Sequence, residues 1–147
     1  MVPSPRDASA FPLSLDLTIS GDPRFVRITG ALIVRFAEYV GYAKEQAEQI
    51  GGAIERSLTG AIEHVLSGGA TGSMAITLAT DETALEIAIR FAEATPLPTG
   101  SLERGLSAPG PNGTDLDAVR RVMDRVEFSH EGEVETCRLS CRLPPIP

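Results

Sequence analysis

The apolar residues of this chain change their period between residues 66 and 74, and that change narrows the folds open to it. Before it, Ala47, Ile50, Ile54, Leu58, Ala61, Ile62 and Val65 recur at the three-and-four spacing of one helical face, in a helix starting near Ala43. After it, Met74, Ile76 and Leu78 alternate with polar residues, Asp81-Glu82 turns the chain, and Leu85, Ile87, Ile89 and Phe91 alternate again. A helix stripe and a half-buried hairpin each need an apolar partner, and one can cover the other.

The flanking segments extend the same pattern. Leu13, Leu15, Leu17 and Ile19 alternate as a half-buried strand. Gly21-Asp22-Pro23 opens a helix, with Asp22 as its N-cap and Pro23 at the first helical position. Its apolar stripe reads as Phe25, Leu32, Ile33, Phe36 and Val40, and Gly41 suits the C-terminal cap. Gly51-Gly52 lies inside the second helix at about 1 kcal/mol per glycine relative to alanine, so tertiary packing must hold that turn. Residues 92–114 are rich in Pro, Gly, Ser and Thr and read as one long loop, functional or mobile.

A short helix from Asp115 to Asp124 turns Leu116, Val119, Val122 and Met123 inward. Val126 and Phe128 begin a strand, His130-Glu131-Gly132 turns, and Cys137, Leu139, Cys141 and Leu143 face inward on the last strand. The order β-α-α-β-β-loop-α-β-β predicts an α+β fold. It is a two-layer sandwich with a mixed, mostly antiparallel sheet covered on one face by helices, in a single domain over 13–143 with loose termini at 1–12 and 144–147.

Composition removes several functions. The 147 residues bury roughly two-thirds of their unfolded surface, enough for a core without metals or disulfides. Net charge is −7, and the densest basic run is Arg120, Arg121 and Arg125, which argues against nucleic acid as a partner and leaves a basic protein open. The first ten residues lack the apolar core of a signal peptide, and no apolar run approaches the ~18 residues of a membrane span, so the expectation is a cytoplasmic protein. Cys137 and Cys141 stand roughly 13 Å apart along one strand, too far to bond each other. Two sulfurs with no second pair make a poor zinc site, so they read as buried thiols, and no metal is expected. No Ser/His/Asp arrangement supports hydrolase chemistry, and the acidic pairs Asp81-Glu82 and Asp115/Asp117 read as turn and cap residues.

Three segments in order carry a family resemblance. Ser20-Gly-Asp-Pro-Arg-Phe25, Leu58-Thr-Gly-Ala-Ile-Glu-His64 and Leu116-Asp-Ala-Val-Arg-Arg-Val-Met-Asp-Arg-Val-Glu-Phe128 resemble segments of the anti-sigma regulatory factors, serine-protein kinases of the GHKL superfamily (the gyrase, histidine kinase and MutL type of ATPase). The resemblance spans nearly all of Leu13 to Leu143 and implies the Bergerat-type, histidine kinase-like ATPase fold.

The chain departs from that family at each of its three chemical motifs. Where the resemblance places a glutamate base and, four residues on, a magnesium-binding asparagine, this chain has Arg56 and Gly60. Glycine has no ligand atom, and arginine accepts no proton near neutral pH. An alternative register using Glu55 and Thr59 turns the pair by about 100° around the helix. In the Asp-x-Gly-x-Gly motif that receives adenine, the positions are Phe91, Glu93 and Thr95; Glu93 can still accept from an amine, but the glycines are gone. In the phosphate turn, Gly113-Thr-Asp-Leu116 keeps one glycine and puts Asp115 at the helix start, where a carboxylate competes with phosphate.

With Ile54 inward, Arg56, Gly60, Glu63 and His64 project away from the core. Read structurally this is a solvated or loop-covered face; read functionally it is a vestigial nucleotide pocket or partner surface, with Gly60 admitting the 92–114 loop or a ligand. What the resemblance then implies is a catalytically degenerate anti-sigma-factor-like regulator without a cofactor. Its protein partner would be a sigma factor or a STAS-type antagonist in a bacterial partner-switching system, with a homodimer also open. Two alternatives stand beside it: an active magnesium-ATP-dependent anti-sigma serine kinase with a divergent site, and a module sensing a small ligand through residues 92–114.

Overall fold

Two helices joined by a tight turn decide the topology. In a computed structural model that describes residues 13–20, 22–65, 73–91, 100–110, 113–131 and 134–144, strand β1 (Ser14–Ser20) leads into α1 (Arg24–Tyr39) and α2 (Lys44–Val65). The side chains of His64, Val65 and Glu131 lie outside the described residues. Asp22 Oδ1 accepts the Arg24 amide at 2.9 Å and so caps α1 as expected, while Gly41, at φ +113°, ends it in the left-handed region. The helices run antiparallel: Gly30 faces Glu55, and Gly51 faces Val34. A Cβ on Gly51 would stand 3.0 Å from the Gly30 carbonyl oxygen, and one on Gly30 would stand 2.7 Å from Glu55 Cδ. The two glycines are what permit this close packing; beside Gly52 there is open space, which leaves that second glycine unexplained.

Because the helix pair returns the chain to the end of the sheet it left, β2 (Ser73–Thr80) runs antiparallel to β1 and continues through a turn into β3 (Ala84–Phe91). After α3 (Ser101–Leu106) and α4 (Asp115–Arg120) come β4 (Arg125–Glu131) and β5 (Val134–Arg142). The strand order is β1-β2-β3-β5-β4, and every pairing is antiparallel. A parallel component was expected of a mixed sheet. β3 and β4 do run the same way, but β5 lies between them, so they are not neighbours.

One row across the sheet shows where the core sits: Leu17, Ile76, Ile89, Cys137 and Phe128 stand side by side beneath the helices. The adjacent row is Leu15, Leu78, Ile87, Leu139 and Val126. Burial completes toward the centre, where Ile76, Ile89 and Cys137 are buried, and only partly at the β1 and β4 edges. The other face of the sheet carries small and polar residues, among them Ala75, Thr77, Ala88 and the exposed pair Arg138–Glu86 at 2.9 Å. Both cysteines are buried and free.

Two expectations need correction. The inward stripe of α1 is Val26, Thr29, Gly30, Ile33, Ala37 and Val40, whereas Phe25 and Leu32 are 40% and 39% exposed. The small residues Thr29, Gly30 and Ala37 make the flatter face, and that is the one which fits against α2 and the sheet. Second, residues 92–114 are not one structureless loop. Part of the segment forms α3, with Leu102 and Leu106 buried one turn apart, while residues 92–99 and 111–112 lie outside the described residues.

Candidate functional site

The chemistry-bearing residues of α2 meet the segments that follow β3. Arg56 and Gly60 lie one turn apart on the flank of α2 against which α3 and α4 pack. The helix α4 starts at a Thr114 cap, whose hydroxyl oxygen accepts the Asp117 amide at 3.0 Å. Gly113 precedes it at φ +93°, a left-handed conformation that brings the chain sharply into the helix. This places Asp115 in the first turn, over α2. Arg56 Nε donates to Asp115 Oδ1 at 3.1 Å, and a second guanidinium nitrogen lies 3.1 Å from the same oxygen. The other Asp115 oxygen sits above Gly60, with Leu106 of α3 closing the remaining side at 3.1 Å from where a Cβ would be.

Three residues singled out from the sequence (Arg56, Gly60 and Asp115) are thus brought together. Of the readings given for this face, the loop-covered one holds at Gly60, which is buried where Leu106 of the 92–114 segment and Asp115 come close, while Arg56 and Glu63 are exposed. The cause is the α3–α4 segment, which covers that flank of the helix. Phe91 is a core residue opposite Met74 at the end of β3, not a lining residue of the cleft described next. Gly113 is exposed at the α4 start. Glu93 and the side chain of His64 lie outside the described residues.

Outside the Arg56–Asp115 contact a shallow cleft of about 430 Å³ opens along α2, lined by Arg27, Glu55, Arg56, Thr59, Glu63 and Asp115 among others. Three carboxylates against two guanidiniums make a poor seat for a polyanion. Among the described residues no cluster of three His, Cys, Asp or Glu side chains could hold a metal. The nearby buried hydroxyl is spent on its own helix: Ser57 donates to Ala53 O at 3.0 Å. No helix of the described residues is long and apolar enough to cross a membrane.

Sequence reasoning missed the residue that fastens α3. Glu135 of β5 accepts the Leu102 amide at 2.7 Å and the Glu103 amide at 3.2 Å, occupying the open N-terminus of that helix. No local signal marks Glu135 for this role. The Leu102–Leu106 spacing after Gly100 was the signal for the helix itself.

No known family's sequence profile matches this chain. No curated protein matches it either. Among solved structures, its backbone is similar to one described as the RsbU and RsbW domains of Rv1364c from Mycobacterium tuberculosis, with a TM-score of 0.57. Sequence identity is 17%, and the match covers 89% of this chain and 32% of that one. The chain shares the α+β fold of that structure, a five-stranded antiparallel sheet covered by helices. It spans about a third of the length of the structure it matches, and at this identity the likeness is one of fold.

Proposed function

We propose that this chain is a catalytically degenerate relative of the anti-sigma serine kinases that works by binding a protein. Its partner is a sigma factor or a STAS-type antagonist in a bacterial partner-switching system, and its place of action is the cytoplasm. One observation carries the reading. The positions where the resemblance puts base and metal ligand are Arg56 and Gly60, and Asp115 both pairs with the first and fills the space above the second. An anion brought to this spot meets a carboxylate at the start of α4 instead of free amides, and phosphoryl transfer depends on positioning and a metal for which these residues offer little. The regulatory assignment is an analogy with the RsbW domain named in the matched structure.

The test is a thermal melt with and without saturating magnesium-ATP. A ligand at about 100 times its Kd adds roughly 2.7 kcal/mol, a shift of several degrees in a domain of this size. We expect no shift; a shift of that size overturns the degenerate reading. A pull-down against sigma factors and STAS proteins then tests the partner, and failure to enrich either removes the partner-switch assignment.

A second reading has one observation in its favour. Glu55 and Thr59, the alternative register for base and metal ligand, both line the open cleft. If magnesium-ATP does shift the melt, Thr59→Ala abolishes the shift and Glu55→Gln keeps it but abolishes phosphoryl transfer, the active-kinase reading replaces the first.

A further inference from the structure

The two edges of the sheet are unlike. β4 is guarded: Arg125, Glu127 and His130 are exposed along it, and α4 contacts it. β1, the other edge, has neither proline nor glycine, no bulge among its seven paired residues, and a single charge, Asp16. Charges, prolines and bulges are the means by which an edge strand is kept from pairing with another chain, and β1 uses almost none of them.

The direction of its main-chain groups follows from one bond. The Thr80 amide donates to the Leu13 carbonyl at 2.9 Å, so in the antiparallel ladder Leu13, Leu15, Leu17 and Ile19 turn their amides and carbonyls toward β2. Those of Ser14, Asp16 and Thr18 point away from the sheet. They are three donors and three acceptors spread over about 14 Å, and none has a partner among the described residues. The side chains of the same three residues are exposed on the bare face of the sheet, while Leu15, Leu17 and Ile19, on the helix side, are only partly buried.

We infer that the β1 edge takes an extended, cationic segment of a partner protein as a sixth, antiparallel strand. Only an extended main chain repeats its donors and acceptors at the ~7 Å spacing that Ser14, Asp16 and Thr18 present. Residues of the segment opposite these three project onto the open face, and those between them project toward Leu15 and Leu17. The second set is apolar, because it completes the burial of that edge. The first set is polar, and its member facing Asp16 is a lysine or arginine. Asp16 has no ion pair among the described residues. Arg24, which follows β1, is held by Asp22 at 2.6 Å, and Arg138 is held by Glu86 at 2.9 Å. Arg90 stands two strands away, roughly 10 Å across the sheet. The net charge of −7 also disfavours an acidic strand. The inference holds whichever protein supplies the segment, so loss of the sigma-factor or STAS assignment leaves it intact.

The probe is a fluorescein-labelled seven-residue peptide of alternating lysine and valine, titrated with the full chain at low ionic strength and followed by fluorescence anisotropy. Saturable binding is expected. N-methylation of its lysines blocks the amides that face β1 and should abolish binding, whereas N-methylation of its valines, whose amides face away, should leave the affinity within about twofold. Thr18→Pro removes one outward donor and no bond to β2, so far-UV circular dichroism and a cooperative melt should be retained while affinity falls about tenfold. Asp16→Lys, at an exposed side chain, is the second variant and should weaken binding about fivefold. Absence of saturable binding overturns the inference. So does equal binding of the two N-methylated peptides, which is charge attraction without a strand, or binding that survives both Thr18→Pro and Asp16→Lys. A doubled mass in light scattering that Thr18→Pro halves assigns the edge to a second copy and overturns the cationic segment.

Discussion

The carboxylate of Asp115 occupies the space that a side chain at Gly60 would need, so the residue type at one position is set by the other. Alanine is the better helix former by about 1 kcal/mol, yet Gly60→Ala should destabilise the fold by about 1–2 kcal/mol, because the new methyl must displace Asp115 and press on Leu106. Asp115→Ala removes most of that clash. In urea denaturation the double variant should therefore be more stable than the two single losses added together, and strict additivity would show that the contact is not what constrains Gly60.

The paired glycines of α2 should respond in opposite directions. Gly51→Ala puts a methyl against Val34 and the Gly30 carbonyl, and should cost about 1–3 kcal/mol by prising α1 from α2. Gly52→Ala meets nothing within 4 Å and should stabilise by about 0.5–1 kcal/mol through helix propensity alone. Denaturation midpoints of the two variants decide it.

Glu135 should govern the opening of α3. It holds two amides of the first turn from a neighbouring strand, and hydrogen bonds to a charged group contribute about 1.5–3 kcal/mol. In Glu135→Ala the amides of Leu102 and Glu103 should exchange with deuterium roughly ten to a hundred times faster, while those of the central strands keep their rates.

Alkaline stability should carry the mark of Cys137. Burial pushes its thiol up to about 12, with the charges of Glu135 and Glu103 adding to the effect. In the unfolded chain the thiol ionises near the ordinary value of 9.0, so the folded state holds a proton that the unfolded one releases. The stabilisation is complete below pH 9 and is lost as the pH climbs toward about 12. Cys137→Ala should flatten the fall in stability across that window, and native Cys137 should resist thiol reagents at pH 8 on the timescale of global unfolding.

The elements were legible from the sequence because periodicity reports which residues want burial. The orientation of α1 was not, and the reason is particular. That helix carries two stripes, and the bulkier one, with Phe25, Ile28, Leu32, Phe36 and Tyr39, faces outward. Hydrophobicity selects it; what decides the packing is the small trio Thr29, Gly30 and Ala37, whose value lies in how closely other elements approach. At the candidate site, Arg56 and Gly60 were recognisable as departures from a motif. Their meeting with Asp115 was not, since 59 residues separate Arg56 from Asp115 and only the placement of α4 unites them. The α3 helix hid for a related reason: Glu135, which completes its first turn, comes 33 residues after Leu102.

The place of β5 has a consequence for assembly. This strand comes last among the described elements but lies inside the sheet, paired with β3 on one side and β4 on the other. Until it arrives, the β1-β2-β3 hairpin array ends in an open apolar edge and β4 has no partner to dock against, whatever the helices have achieved. Folding should therefore be governed by a late, long-range closure, with the unfinished β3 edge as its most aggregation-prone moment.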